Sequence, residues 1–150
     1  MIKIITICDS YKHFGEAIKE YEKRLGKKVE IIKLKPSRKD STEEIIREET
    51  GFVKNYLEKD NSYKIVLSIN GKTFSTTSFL ELIEKKEQTF PSILFIIGGP
   101  FGLNYKELKS HIDLEFSLSQ MTFPHIEALL IILEQLYRVD TIRQGKSYHY

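Results

Sequence analysis

The chain has 150 residues, of which 41% are hydrophobic and 11% aromatic, so its length and composition predict one domain, residues 1–150, with a buried core. A formal net charge of +2 argues against binding of nucleic acid through overall charge, so a polyanionic partner would have to meet local basic patches. A single cysteine, Cys8, excludes an internal disulfide, and no run resembles a signal peptide or a membrane span, so we expect a cytoplasmic protein.

The first half of the chain alternates strand and helix patterns. Residues 2–8 predict a strand, followed by a helix with an apolar stripe that ends at Gly26. Residues 29–35 predict a second strand with one less covered face. Ser41 and Glu44 form a capping-box signature, in which each satisfies the other's free backbone donor at the start of the next helix. The buried side of this helix is predicted to comprise Ile45, Phe52, Val53, Tyr56 and Leu57.

The second half continues the alternation after a turn predicted at Asn70–Gly71. Strands are predicted at residues 64–69, 93–97 and 114–118. Helices are predicted around residues 79–83, 104–111 and 125–142, followed by a polar tail. This βα order with continuously apolar strands predicts an α/β domain built on a mostly parallel sheet. Ligands of such sheets bind at the carboxyl ends of the strands. Three segments are predicted at that edge, residues 67–71, 98–102 and 118–125.

The glycines of residues 98–102 allow several interpretations, of which a plain tight turn is the simplest. A phosphate loop is disfavoured because no GK[ST] follows the glycines and their spacing is not GxGxxG. The four histidines are scattered without metal-ligand spacing, so no metal site is predicted. Ser117 and Ser119 precede His125, but no GxSxG elbow surrounds them, which argues against a hydrolase triad.

Basic residues are grouped in three places along the chain. Taken singly, each group is typical of a solvated surface. The groups are Lys23, Arg24, Lys27 and Lys28; Lys33, Lys35, Arg38 and Lys39; and Arg138, Arg143 and Lys146.

Four motifs together resemble the RlmH family of SPOUT methyltransferases, which methylate a pseudouridine of large-subunit ribosomal RNA. They are GGPxG at residues 98–102, LSxMTxPH at 118–125, LEQLYR at 133–138 and YH at 148–149. The resemblance runs over nearly the whole chain. It implies a parallel sheet flanked by helices, the SPOUT α/β knot, whose C-terminal third threads a loop to form a trefoil knot. The general rule against knotted chains would otherwise exclude that topology.

The resemblance implies S-adenosylmethionine as the cofactor. Backbone groups and apolar side chains are suited to gripping its adenine, and Gly98 lets the chain pass close to the ligand. The family's cofactor positions fall on Leu67, Gly98, Leu118, Ser119, Gln120, Met121, Thr122 and Phe123.

The implied reaction is transfer of the methyl group to N3 of pseudouridine, with ribosomal RNA on the assembled ribosome as the expected substrate. His125 is the candidate catalytic residue, because a neutral imidazole can accept a proton, although a histidine that only stabilises the helix start is the competing interpretation. Arg138, Tyr148 and His149 match substrate-binding positions of the family, with Tyr148 a stacking surface for a base. Glu134 is expected to orient Arg138.

The sequence departs from the family's usual pattern at four positions, Ser68, Leu129, Ser147 and Tyr150. These departures concern the positioning of the substrate. A homodimer is also expected, because the apolar positions of the last helix, residues 128–133 with Leu136 and Tyr137, are broader than one stripe can bury. Two alternatives stay open: a SPOUT methyltransferase of another RNA such as tRNA, and a non-catalytic RNA-binding module.

Overall fold

A five-stranded sheet forms the centre of the structure, a computed structural model that describes residues 1–149 and leaves Tyr150 outside the described residues. The strands are β1 (Ile2–Ile7), β2 (Val29–Leu34), β3 (Tyr63–Thr73), β4 (Ile93–Ile97) and β5 (Leu114–Ser117). Their order across the sheet is β2-β1-β4-β3-β5, and every neighbouring pair is parallel. The prediction of an α/β fold on a parallel sheet is confirmed.

Helices cover both faces of this sheet. They are α1 (Gly15–Leu25), α2 (Thr42–Glu58), α3 (Thr76–Glu87), α4 (Tyr105–Leu108) and α5 (His125–Arg143). Because successive strand residues point to opposite faces, Ile4 packs with residues of α1, α3 and α5, while Ile5 packs with residues of α2 and α4. Burial of both faces explains why strand Ile93–Ile97 is apolar throughout.

The predicted turn at Asn70–Gly71 is wrong, because β3 continues through these residues to Thr73. The register against β5 shifts between Leu67 and Lys72, which both pair with Phe116, so residues 68–71 form a bulge in β3. A Cβ on Gly71 would lie 2.6 Å from the backbone N of Phe116. Only glycine allows β5 to approach the bulge this closely.

The predicted buried face of α2 needs one correction. Phe52 is exposed to 38%, whereas Glu49 and Thr50 are buried with Val53 and Leu57. The two polar residues are tolerated inside because each accepts a backbone hydrogen bond. The Ser37 N–H donates to Glu49 Oε2 at 2.9 Å, and the Asn104 N–H donates to Thr50 Oγ1 at 3.0 Å.

The start of α2 shows half of the predicted capping box. Ser41 Oγ accepts a hydrogen bond from the Glu44 N–H at 3.2 Å, while the reciprocal box occurs at the start of α3, between Ser75 and Ser78. Replacing Ser41 with alanine should therefore lower the free energy of unfolding by about 1 kcal/mol, measured by urea denaturation. Glu44→Gln is the matched control and should cost less, because the Glu44 side chain is not needed for this bond. Equal losses in the two variants would contradict the assignment.

Residues 1–149 contain no helix that combines the length and the apolar character needed to span a membrane.

Candidate functional site

A cleft of about 620 Å³ lies at the carboxyl ends of β3, β4 and β5. Its walls are the glycine loop (residues 98–102), the β3 bulge at Ser68 and Ile69, residues 118–123 and the start of α5. Lys12, His13 and Phe14 close one further side. The volume lies within the usual range for small-molecule sites, and the location is where open parallel sheets bind their ligands.

The structure brings the predicted cofactor residues together at this cleft. All of them line it except Gln120, which is exposed outside the wall. The residues on the wall are Leu67, Gly98, Leu118, Ser119, Met121, Thr122 and Phe123. They come from three separate parts of the chain, and the parallel sheet places all three at one edge. Their contact with a cofactor stays a prediction.

The glycine loop is held from behind by α2. The Gly102 N–H donates to the Gly99 carbonyl at 3.0 Å, which closes a turn, and the bond from Asn104 to Thr50 anchors the end of the loop. Gly99 lies directly against Glu49, since a Cβ on Gly99 would stand 2.6 Å from Glu49 Oε1. The loop can occupy this position only because residue 99 has no side chain.

Glu49 is a buried carboxyl group with one unsatisfied oxygen. Its side chain is 1% exposed, and Oε1 has no hydrogen-bond partner within the part of the chain that the structure describes. Burial raises the pKa of Glu49, an effect that the hydrogen bond from Ser37 opposes. The Glu49 carboxyl group cannot move aside without losing its hydrogen bond from the Ser37 N–H. It therefore supports the glycine loop rigidly.

Hydrogen bonds between residues close in sequence shape the start of segment 118–123. Ser117 Oγ donates to the Ser119 carbonyl at 2.8 Å, and Ser119 Oγ accepts from the Met121 N–H at 3.0 Å. This turn leaves the Met121 and Phe123 side chains exposed at the mouth of the cleft, where Ile69 is exposed as well. Three large apolar side chains around a cleft form a surface suited to a flat, partly apolar ligand.

His125 stands at the first position of α5, on the cleft wall, with Pro124 as the N-cap residue. Burial lowers the pKa of His125 below its usual value of 6.5, and the charge of Lys12 lowers it further. The neutral form of the imidazole therefore predominates at pH 7. In this form one ring nitrogen can accept a proton from a group bound in the cleft.

The predicted substrate-binding residues form a separate cluster at the other end of α5. Arg138 lies roughly 20 Å along the helix from His125, at about 1.5 Å per residue. Arg138 Nε donates to Glu134 Oε1 at 3.0 Å, as expected of an orienting carboxylate. The guanidinium also lies 3.2 Å from His149 Nδ1 and 4.9 Å from the Tyr148 ring centre. Within one chain these residues are not part of the cleft.

Several cleft residues were not among the predicted site residues. Ser68 and Ile69 lie in the predicted edge segment, and their place in a bulge explains their access to the cleft. Tyr105 lines the wall and its hydroxyl donates to the Leu67 carbonyl at 3.3 Å. Lys12 and His13 follow the carboxyl end of β1, and that position was their only signal in the sequence.

Leu129, Ser147 and Cys8, which the sequence analysis also singled out or discussed, do not line the cleft. Leu129 is fully buried in the core, so this departure from the family pattern is not on a surface, whereas Ser147 is exposed. Cys8 is buried, and burial raises the pKa of its thiol, which disfavours the reactive thiolate. Within residues 1–149, no three histidine, cysteine, aspartate or glutamate side chains cluster in a way that could hold a metal ion.

The apolar positions of α5 are largely used within one chain. Those buried in the core are Ala128, Leu129, Ile132, Leu133 and Leu136. Leu130, Ile131 and Tyr137 stay partly exposed.

Comparison with known proteins gives consistent matches over the whole chain. A protein-family model described as "Predicted SPOUT methyltransferase" matches residues 1–149. Three similar relatives are named "Ribosomal RNA large subunit methyltransferase H". The Thermotoga maritima protein is 38% identical over 99% of this chain and 97% of its own. The Streptococcus gordonii protein is 36% identical over 99% and 98%. The Thermodesulfovibrio yellowstonii protein is 40% identical over 93% and 90%.

A solved structure shares the fold. It is a Legionella pneumophila protein in complex with the bound cofactor SAM, and it superposes with a TM-score of 0.55 at 15% sequence identity. The match covers 93% of this chain and 66% of that longer one. At 15% identity, this similarity shows that the two proteins share an arrangement of strands and helices, and it concerns the fold alone.

Proposed function

We propose a specific reaction for this chain, which belongs to the SPOUT methyltransferase family. It methylates N3 of a pseudouridine in large-subunit ribosomal RNA, and its substrate is the assembled ribosome. S-adenosylmethionine is the proposed methyl donor. The single observation that carries the proposal is the cleft, which collects the family's cofactor positions at one edge of the sheet. The proposed unit is a single domain that includes the family's trefoil knot.

The residues of the cleft are chemically suited to this cofactor. Leu67, Met121 and Phe123 supply apolar surface for the adenine, and the glycine loop exposes backbone groups that can bind the polar ribose and amino-acid parts. When bound, S-adenosylmethionine supplies a sulfonium-activated methyl group. The protein then has to orient the acceptor base and take up one proton.

His125 is the group that we assign to the proton. Methylation of N3 would form an N–C bond as the sulfur–methyl bond of the donor breaks and a neutral thioether leaves. The neutral imidazole at the cleft wall would accept the N3 proton. General bases of this kind contribute roughly 10²- to 10⁴-fold in rate. We therefore expect His125→Gln to lower kcat by at least 10²-fold in methyl-transfer assays with ribosomes.

The pH dependence tests the same assignment. Because the pKa of His125 is lowered, the neutral imidazole persists at pH 7 and is lost as the pH falls through a value below 6.5. The fall of kcat at low pH, which we call the acid limb, should have its midpoint at this pKa and should be missing in His125→Gln. Lys12→Asn removes a positive charge that lowers this pKa, so the limb should move toward higher pH. An acid limb that is the same in all three proteins would rule out His125 as the base.

We also propose that the active form is a homodimer. Arg138 on α5, and the tail residues Tyr148 and His149 that lie against it, stand away from the cleft of their own chain. A second copy must therefore bring them to the cleft if they contact the RNA there. Mixing inactive His125→Gln with inactive Arg138→Ala should then restore activity, because one of the two shared sites in the mixed dimer is intact. A monomer by light scattering, or no restoration, would contradict the shared site.

The overall function is tested by supplying labelled S-adenosylmethionine to ribosomes, separated subunits and tRNA, with nucleoside mass spectrometry of the product. We expect a methylated pseudouridine in large-subunit RNA from assembled ribosomes. Absence of label in ribosomal RNA under every condition would reject the proposal. Label in tRNA would instead support the other RNA substrate, and absence of cofactor binding by calorimetry would support a non-catalytic RNA-binding module.

A further inference from the structure

Five cationic or titratable side chains lie along the carboxyl ends of β1 and β2, beside the cleft. We call this group the basic edge: Lys12, His13, Lys33, Lys35 and Arg38. Lys12 and His13 follow β1 and line the cleft. Lys33 is the second-last residue of β2, and Lys35 and Arg38 follow that strand. All five are exposed, so the group extends from the cleft along the edge of the sheet.

Among the described residues, the side chains of the basic edge are not neutralised by carboxylate partners. Several cations elsewhere are paired, as in Arg24–Glu20, Lys28–Asp140, Arg138–Glu134 and Arg143–Glu87. Within residues 1–149, no basic-edge residue forms an ion pair, and only the neighbouring Lys39 reaches a carboxylate, Glu48, at 3.9 Å. Asp9 and Asp40 are exposed nearby but form no ion pair in this part of the chain. The positive charge of this edge is therefore left for an external partner.

The local backbone holds the edge in place. Lys12 has φ of 50°, the one non-glycine residue in the left-handed region within residues 1–149, and this conformation costs roughly 1–2 kcal/mol. Ser10 Oγ accepts the Lys12 N–H at 3.4 Å and supports the turn. Lys33 Nζ lies 4.3 Å from the centre of the buried Tyr11 ring, which fixes it beside this turn. A strained turn that presents a cation at a cleft is typical of a binding site.

We propose that the basic edge binds the phosphate backbone of the RNA strand whose target nucleotide enters the cleft. This inference rests on the proposed function. Phosphates are bound by cations, and the basic edge adjoins the cleft that receives the target nucleotide. The net charge of +2 conceals this surface, because 21 acidic residues nearly balance the 23 basic residues over the whole chain.

The double variant Lys33→Gln/Lys35→Gln tests the proposal in the full chain. Each phosphate contact contributes a slope of about 0.7 for single strands and about 0.9 for duplex when log affinity is plotted against log salt. For ribosomal RNA fragments, the double variant should reduce this slope by roughly 1.4 to 1.8. KM for ribosomes should rise, while the S-adenosylmethionine Kd stays unchanged.

Lys27→Gln is the matched control, because Lys27 is an exposed lysine at the amino end of β2, on the opposite edge of the sheet. It should leave the salt slope unchanged. A double variant that behaves like Lys27→Gln would overturn the proposal.

Lys12 is tested by two further variants. Lys12→Asn removes the charge but keeps a residue that tolerates positive φ, whereas Lys12→Arg keeps the charge. Weaker RNA binding in Lys12→Asn alone would support a phosphate contact. Equal effects of the two variants would show that the turn, not the charge, matters.

The outcomes separate this inference from the proposed function. If the wild-type chain methylates ribosomal RNA and the double variant matches it at every salt concentration, only the basic edge is overturned. If the wild-type chain methylates no ribosomal RNA, the proposed function fails, and filter binding of an RNA fragment to both proteins still decides the basic edge. Charge-dependent binding to anionic lipid vesicles without charge-dependent RNA binding would also overturn it.

Discussion

Replacing Gly71 with alanine should lower the free energy of unfolding by about 3 kcal/mol or more, at the upper end of the cost of overpacking. The added Cβ would lie 2.6 Å from the Glu115 carbonyl carbon and the Phe116 N, and both are backbone atoms of a paired strand. Relief requires β5 to move away from β3, which breaks the pairing of Lys72 with Phe116. Urea denaturation followed by circular dichroism measures the loss.

Gly51→Ala provides the matched control for this substitution. Gly51 lies inside α2, and a Cβ there would meet no atom within 4 Å. Alanine is favoured over glycine in a helix by up to about 1 kcal/mol, so Gly51→Ala should stabilise the protein. If Gly71→Ala unfolds at the same urea concentration as the wild type, the close approach of β5 to the bulge is incorrect.

Replacing Gly99 with alanine should weaken S-adenosylmethionine binding by roughly 10- to 100-fold, equivalent to about 1.4 to 2.7 kcal/mol. The Cβ would stand 2.6 Å from Glu49 Oε1. Because Glu49 is buried and bonded to Ser37, the glycine loop should shift instead and deform the wall of the cleft. Calorimetric titration with the cofactor measures the change.

A double-mutant cycle identifies the cause of this loss. Glu49→Ala removes the carboxylate that opposes the new methyl group, so Gly99→Ala should cost much less cofactor affinity in the Glu49→Ala background than in the wild type. The two residues are in contact, and a coupling of at least 0.5 kcal/mol is expected. Strictly additive effects would mean that Glu49 does not support the loop.

The course of the chain was largely predictable from its sequence, because buried parallel strands and their covering helices leave strong apolar patterns. Ile93–Ile97 and the helix from His125 are examples, and the edge that carries the cleft followed from the strand directions. The bulge was not predictable. Asn70–Gly71 is a common turn signal, and only the packing of β5 against Gly71 decides that the strand continues.

The site residues divide in the same way: those in local motifs were predictable, and those placed by backbone conformation or by contacts with distant segments were not. Gly98 and residues 118–123 carry motifs that place them, whereas Lys12 reaches the cleft through an unusual backbone conformation without a sequence signal. Glu49 was missed because a charged residue in an amphipathic helix is expected outside. Its burial depends on Ser37, which comes from a different segment of the chain.

The strand order also has a consequence for how the chain folds. The first strand lies inside the sheet, where Ile2 pairs with both Val29 and Ile93, so one side of β1 has no partner until most of the chain has been synthesised. The outer pairing of β3 with β5 comes later still. Such distant contacts predict slow folding, in the range of milliseconds to seconds. During synthesis the unpaired side of the apolar β1 would be open to aggregation or to chaperones until β4 has been made.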